Sequence, residues 1–455
     1  MQDSEFEILS SVRTMLEEEA AGRKFLLAVS GGVDSVAMLD IVARLAPEMD
    51  CRLVVGHVDH GLRPESCADA EFVSELANRF GLPFVGRRAD VLALARAERL
   101  SQEAAARKAR YQALEEMAEA WRCDRILTAH TADDSGETFL MRFIQSPDWW
   151  EWTSIPKRRG SILRPLLGLR RQQIRSYALQ RRLSWRDDTS NENERFMRNY
   201  LRLSMLPRLA EQGGGVDLPT LANAGDKIRE VVENILHEAD KFVQEQRDRH
   251  GKMMLAIPDI LSYFSLMCWA PVERAAASLI EDPNFRWPAR RRRQIADFIA
   301  ARHSKGMLHL EMGIHLLRYG HTLAVVSQLP ETVCRSLQGC GRHILDGLGE
   351  LRLSIGANDG ILNKGTRICV RPDLADKNFQ LRTWQPGDCL NILRRGHRKI
   401  SDLLNELHAD PIARMSALVL CDDDGPFWLV GHWSDQRVAP TPEDKLVLEV
   451  EWKTT

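Results

Sequence analysis

No C-x-x-C pair occurs in the 455 residues; the nine cysteines are scattered, and the closest two, Cys334 and Cys340, have five residues between them. An odd number without a framework excludes a disulfide-stapled fold and points to reduced thiols in a reducing compartment. No zinc-ligand pair stands at the usual spacing. Apolar runs of membrane-spanning length are absent too, and residues 1–19 are acidic without the apolar centre of a signal peptide. A cytoplasmic protein with no membrane partner is expected. Nor is there excess charge: 62 lysines and arginines meet 64 acids, a formal net of −2, so any basic surface must be local. The pattern G-x-x-x-x-G-K-[ST] is missing as well, so no lysine is placed to steady a γ-phosphate. What remains is ordinary globular material, 44% hydrophobic and 28% charged, in a chain too long for one core; two or three domains are expected.

Residues 25–29, Phe-Leu-Leu-Ala-Val, form a short apolar run suited to a strand buried on both faces. Ser30-Gly31-Gly32-Val33-Asp34-Ser35 interrupts it, and a second apolar run, at helical spacing, fills 36–46. Two adjacent glycines allow positive φ and bring backbone N–H groups close to a ligand. Ser30 and Ser35 add hydroxyls, and the first N–H groups of a helix lack intrahelical partners, so the turn is a concave anion site whose favoured guest is a phosphate. Asp34 beside phosphates makes sense chiefly as a magnesium ligand. A structural Gly-Gly turn capped by serines would use the same residues; the strand before and the helix after favour the phosphate.

Further strands are expected at 51–59, 83–88 and 124–129, with helices at 65–80 and 101–120 between them, the second N-capped by Ser101. This alternation predicts an α/β domain with a doubly wound parallel sheet and ligands beyond the strand carboxyl ends. Ser30, His57, Asp59 and His130 all fall there. Arg107 and Arg110 share a face of the Ala-rich helix beside Tyr111, where a solvated basic patch is an equal reading. The segment 130–138, His-Thr-Ala-Asp-Asp-Ser-Gly-Glu-Thr, opens another helix, with Asp133 and Glu137 four apart and Asp134 and Glu137 three apart. Complementing the helix dipole accounts for one such acid and poorly for three. Converging carboxylates near a phosphate site suit magnesium or a substrate ammonium.

Between residues 157 and 208 fourteen lysines and arginines stand against four acids, a local excess of ten positive charges. That indicates a polyanionic partner larger than a nucleotide, most simply RNA, and arginine in place of lysine fits bidentate phosphate contacts. Gly213-Gly214-Gly215 marks a linker. Ile228, Val231, Val232 and Ile235 put 218–249 at helical spacing, and segments to about residue 329 read as mostly helical, with a basic cluster at 290–293 behind Trp287. Strand patterns at 366–370, 378–384, 427–433 and 445–452 are interrupted by a helix at 397–408, with Ile400, Leu403, Leu404 and Leu407 on one face. This end is a small α+β domain whose basic rim is Arg382, Arg394, Arg395, Arg398 and Lys399. Trp384 and Trp433 read as core residues before base-stacking ones.

Ser-Gly-Gly-x-Asp-Ser after a buried strand resembles the PP-loop ATP pyrophosphatase motif. With His57-Val58-Asp59-His60-Gly61-Leu62-Arg63, residues 105–111 and 130–138, Arg164-Pro165-Leu166-Leu167, Asp187-Asp188-Thr189-Ser190-Asn191, Arg198-Asn199, Leu206-Pro207, and a C-terminal part from Arg382 and Pro386-Gly387-Asp388 through Arg414 to Gly431, the chain resembles the tRNA(Ile)-lysidine synthase family over most of its length. The resemblance implies a PP-loop catalytic domain at 1–212, a helical middle domain at 216–330 and an α+β tRNA-binding domain at 340–455. It implies that ATP adenylates the wobble cytidine of an isoleucine tRNA, releasing pyrophosphate, and that the ε-amino group of lysine then displaces AMP. The implied cofactors are ATP and Mg2+; the implied partners are a tRNA(Ile) with C at the wobble position and free L-lysine, with a homodimer left open.

By motif position the resemblance places Ser30, Gly31, Gly32, Val33, Asp34, Ser35, His57 and Asp59 on ATP, and Asp34 and Asp134 on the metal. Its catalytic set is Asp34, Arg107, Arg110, His130, Asp134 and Glu137, with Arg107 or Arg110 steadying transferred charge. Asp133, Asp134, Glu137, Arg164, Arg198 and Asn199 would bind substrate, the acids sharing lysine and metal in an order left open. One stretch departs from the family: where a glycine-rich R-G-x-G-x-x-G-L is usual, Ile144 leads into Gln145-Ser146-Pro147-Asp148-Trp149-Trp150-Glu151-Trp152. A related tRNA thiolating enzyme would bring paired cysteines, which are missing. A small-molecule adenylating synthetase would not need the arginines of 157–208, and a non-catalytic RNA-binding relative would not need Asp34, Asp134 and Glu137.

Overall fold

The structure, a computed structural model, describes residues 2–20, 22–59, 61, 66–186, 197–213, 215–250, 253–302, 305–345, 348–358 and 365–454. His60, Leu62-Arg63 and the 187–191 motif lie outside the described residues. The chain divides into two compact units, Met1–Glu233 and Asn234–Thr455, and one 33-residue helix, Leu218–His250, passes from the first into the second. Among the described residues no helix is long and apolar enough to cross a membrane.

The first unit begins with α1 (Gln2–Ala20), β1 (Lys24–Ala28) and α2 (Val33–Leu45), followed by β2 (Arg52–Asp59), α3 (Ser66–Arg79), β3 (Phe84–Arg88), α4 (Val91–Glu98) and α5 (Gln102–Ala120). It continues with β4 (Arg125–Leu127), α6 (Ala132–Gln145), the short β5 (Arg158–Arg159) and β6 (Ile162–Leu163), and α7 (Arg171–Gln180). The strands lie in the order β3-β2-β1-β4-β6-β5; all neighbours are parallel except β5, which turns back on β6. Phe25 and Leu27 point into a core built with α1, α2, α3 and α7, while Leu26, between them, joins Leu114 and Met117 of α5 on the other face. That two-sided burial is why the β1 segment is a continuous apolar run, and it makes the sheet doubly wound as the alternation predicts. Helix α2 begins at Val33, three residues before the expected 36, which draws Asp34 and Ser35 into its first turn. Ser101 caps α5 as expected, its Oγ accepting from Ala104 N at 3.2 Å.

Helices Ile257–Tyr263, Ala270–Ile280 and Ala289–Ala300 follow the long helix in the second unit. An antiparallel sheet of Met254–Ala256, Thr322–Val326, His315–Tyr319 and Lys305–His309 accompanies them, an element the mostly helical reading of this stretch did not separate. Two further four-stranded antiparallel sheets follow: Cys334–Gln338, Asn378–Thr383, Leu418–Asp422 and Gly425–Leu429, then Gly341–Leu345, Gly349–Ala357, Leu446–Thr454 and Arg367–Val370. Their inner faces share one core, in which Phe379, Phe427 and Trp428 meet Leu351, Ile368 and Val450. Helix Ile400–Glu406 and the hairpin Cys389–Ile392/Gly396–Lys399 pack against a smaller cluster, with Trp384 and Trp433 partly buried beside it.

Candidate active site

The turn after β1 is knitted by its own hydroxyls. Gly31 has φ +95°, a left-handed conformation that glycine alone adopts freely. Ser30 N–H donates to Ser35 Oγ at 3.2 Å, and Ser35 Oγ donates to Gly32 O at 2.9 Å. Val36 N–H reaches back to Gly32 O at 3.0 Å as α2 begins. Behind the turn the buried His57 donates from Nδ1 to Val29 O at 2.9 Å, tying β2 to the exit of β1. His57 therefore shapes the turn from behind, whereas Asp59 accepts from Gly61 N–H at 2.7 Å and lies 3.9 Å from Arg88.

Asp34 projects from the first turn of α2. Burial is the main cause that raises its carboxyl from 3.8 to about 6, opposed by Arg171 and reinforced by Asp134. Its Oδ1 is buried with no hydrogen-bond partner. A buried hard oxygen left without a donor is one that magnesium can take. Asp134 is arranged differently. Its Oδ2 accepts from Thr131 N–H at 2.9 Å and Thr131 Oγ at 3.0 Å, closing the capping box that starts α6, and its Oδ1 accepts from Arg171 Nη2 at 2.6 Å. Both oxygens of Asp134 are thus engaged, which leaves Asp34 with the open one.

Arg171 organises the acids. At the start of α7 its guanidinium bonds Asp134 and, at 3.2 Å, Glu137 Oε1, and lies 3.9 Å from Asp34, while its backbone N–H donates to Asp133 Oδ2 at 2.6 Å. Against burial, which lowers it, Asp134, Glu137 and Asp34 hold this guanidinium above its ordinary value. Glu137 is 0% exposed and also accepts from Arg202 Nε at 3.0 Å and Nη2 at 2.9 Å, with Arg198 at 3.7 Å. Arg198 and Arg202, four residues apart, share a face of the helical segment in which Met197–Tyr200 runs into a π-helical stretch, Leu201–Met205, ahead of Pro207, which offers no N–H to a regular ladder. Asn199 lies buried in the same segment.

The third cluster surrounds Tyr111. Arg107 and Arg110 place their guanidiniums 5.2 and 5.1 Å from its ring centre. The nearby Arg164, 2% exposed, donates to Pro156 O at 2.7 Å. His130 joins this cluster to the acids, its Nδ1 3.0 Å from Thr128 Oγ. Burial first, then Arg110, push its imidazole well below the ordinary 6.5, so it is neutral at pH 7 and a weak base. The structure therefore brings Asp34, Asp133, Asp134 and Glu137 together through Arg171. Arg107, Arg110 and Arg164 gather around Tyr111, and Asp59 stands apart with Arg88. Sequence reasoning did not single out Arg171 or Arg202. The four-residue spacing of Arg198 and Arg202 was a signal that the pair shares a face; nothing local marks Arg171.

A PP-loop domain family model matches residues 5–209, and a TilS substrate C-terminal domain model matches residues 379–452. A tRNA(Ile)-lysidine synthase of Geobacter sulfurreducens is 30% identical over 445 residues, 93% of this chain and 92% of that one. The chain belongs to the tRNA(Ile)-lysidine synthase family. A tRNA(Ile)-lysidine synthase of Thermus thermophilus is 43% identical over 187 residues, 41% of this chain, and that match spans only 36% of the relative's length. Among solved structures a U34-tRNA thiolase of Methanococcus maripaludis superposes with TM-score 0.43 at 15% identity, covering 50% of this chain and 81% of that one. Asp34, Tyr111, His130, the acids of α6, Arg171 and Arg202 all fall inside the PP-loop match that this family carries.

Proposed function

We infer that the chain is an ATP-dependent ligase that converts the wobble cytidine of tRNA(Ile) to lysidine. The observation that carries this reading is the open, buried oxygen of Asp34 at the mouth of a serine-glycine turn, joined through Arg171 to a carboxylate cluster. That turn takes the phosphates of ATP with its N–H groups and hydroxyls. Asp34 would hold Mg2+, and Asp134 would be its second ligand. The ion, when bound, neutralises phosphate charge.

In this reading O2 of the cytidine bonds to the α-phosphorus while pyrophosphate leaves. Arg107 and Arg110 steady the charge that builds on the transferred group. The ε-amino nitrogen of free L-lysine then bonds to C2, AMP departs with the oxygen, and the amine loses a proton. Asp133, Asp134 and Glu137 hold the lysine, in competition with Arg171. The neutral His130 contributes hydrogen bonds beside them. Arg164, Arg198 and Asn199 hold RNA, and the C-terminal residues 340–455 bind tRNA elsewhere. Work in the cytoplasm follows from that substrate.

The test is turnover: protein, ATP, magnesium and tRNA(Ile) bearing C at the wobble position, with and without labelled lysine. Pyrophosphate release together with lysine in the RNA is expected. RNA binding without either, or sulfur incorporation from a donor, would refute the assignment.

A further inference from the structure

A second concavity opens in the first unit beside the acids. Its volume is about 410 Å3, and Arg107, Arg142, Arg159, Arg164, Arg198 and Arg229 line it, with no carboxylate in the lining. Several of these arginines are set in place by backbone: Arg142 donates to Thr153 O at 2.7 Å and Arg164 to Pro156 O. Others have spare capacity. The Nε of the buried Arg164 has no hydrogen-bond partner, and Arg107 and Arg159 have no carboxylate partner among the described residues. Asp226 meets Arg229 and Glu137 lies by Arg198; the remaining guanidiniums favour an anion, and planar donors favour a phosphodiester.

Next to Arg142 and Thr153 in the chain stand Phe143 and Trp152, in the stretch 145–152 and its approach, which the mechanism does not use. The Phe143 ring packs edge-on to Trp152 at 4.7 Å and parallel to Phe139 at 6.4 Å, and Trp152 is pinned by its indole N–H to Ser146 O at 2.8 Å. Supported on these sides, Phe143 is still 49% exposed. A supported, half-exposed aromatic ring one residue along the chain from Arg142 of an arginine-lined cleft is the combination that holds unpaired nucleotides, phosphate on the cations and base on the ring.

We propose that this cleft and the Phe143 ring together hold one unpaired anticodon-loop nucleotide next to the wobble cytidine, splaying the loop so that the cytidine can leave its stack. The proposal rests on the RNA-modifying function above and assigns its neighbouring-nucleotide subsite. The test uses the full chain and an anticodon stem-loop carrying 2-aminopurine in turn at each unpaired position flanking the wobble cytidine. Binding is expected to quench one flanking position severalfold. Phe143→Tyr keeps the quench; Phe143→Leu, which keeps apolar volume without the π face, loses it and weakens RNA binding about tenfold. Arg159→Gln weakens binding severalfold and lowers the salt slope by about 0.7. ATP affinity is unchanged in all three. RNA bound by the wild type with no flanking position quenched, or quenching that Phe143→Leu preserves, overturns this subsite and leaves the function standing. Absence of any RNA binding overturns both. Self-association that Phe143→Leu abolishes would give the ring to a second copy of the chain and also overturn the proposal.

Discussion

Asp34 and Arg171 illustrate opposite solutions to burying charge. Asp34 has a carboxyl raised to about 6 against an unfolded value of 3.8, so the folded state holds a proton that the unfolded chain has released. The resulting penalty grows as pH rises from about 4 to about 6 and is full above that. In metal-free buffer Asp34→Asn should therefore stabilise the protein by about 3 kcal/mol at pH 7 and by little at pH 4, read by urea denaturation. The same variant should abolish turnover while leaving RNA affinity nearly intact; parallel loss of both would mean that nucleotide and RNA share one surface. For Arg171 the sign reverses. Burial pushes the Asp134 carboxyl up, but Arg171 and the Thr131 N–H outweigh it and hold the pKa below 3.8, so this stabilisation is present at neutral pH and lost as pH falls below about 4. Arg171→Met takes from Asp134 its 2.6 Å cation, while Glu137 keeps Arg202, and should cost about 3 kcal/mol at pH 7. The deficit should narrow in acid, and a pH-independent deficit would show that packing, not charge, was lost.

Elements set where these charges sit, and two glycines fix one of them. A Cβ on Gly136, in the second turn of α6, would land on the Leu218 carbonyl oxygen, and one on Gly225 would lie 2.5 Å from Ser154 N. The first turns of Leu218–His250 thus press backbone against α6 and against the 153–156 loop. Gly→Ala inside a helix ordinarily gains about 1 kcal/mol; here Gly136→Ala and Gly225→Ala should each cost about 1–3 kcal/mol, because backbone cannot swing aside as a flexible side chain can. Since α6 carries Asp134 and Glu137, Gly136→Ala should also lower kcat more than it raises KM for ATP; a stabilised, fully active variant would refute the contact. The helices and strands themselves were largely legible. Residues 25–29, 51–59 and 101–120 announce their elements because each buries its apolar positions, the first as a continuous run between two packed faces. The partners of the acids were not, because Arg171 reaches Asp134 and Glu137 from another helix, and one arginine among the thirteen of 157–208 carries no mark of which it is. The sheet around 305–326 was hidden for a related reason: its strands are five residues long and follow a helical stretch, too short for period 2 to stand out.

At the scale of the whole molecule, a formal charge of −2 conceals two separate basic regions, one around 157–208 and one on the hairpin Cys389–Ile392/Gly396–Lys399. The second lies inside the TilS substrate C-terminal domain match, 379–452. On it Arg395 and Arg398 are both tied to Glu406, and Arg382 is held by Asp388 at 2.8 Å. Those cations are already neutralised within the fold. Arg394 and Lys399 are exposed and have no carboxylate partner among the described residues, so they are the ones left to meet a phosphate backbone. If this hairpin grips the tRNA away from the anticodon, Arg394→Glu with Lys399→Glu should raise KM for full-length tRNA about tenfold and leave kcat unchanged. The salt slope should fall by about 1 for each lost contact. An isolated anticodon stem-loop should be turned over by the variant as by the wild type, because the cleft beside α6 and the acids around Arg171 are untouched. Equal loss on both RNAs would place the hairpin at the anticodon; no loss on either would leave tRNA binding to the arginines of 157–208 alone.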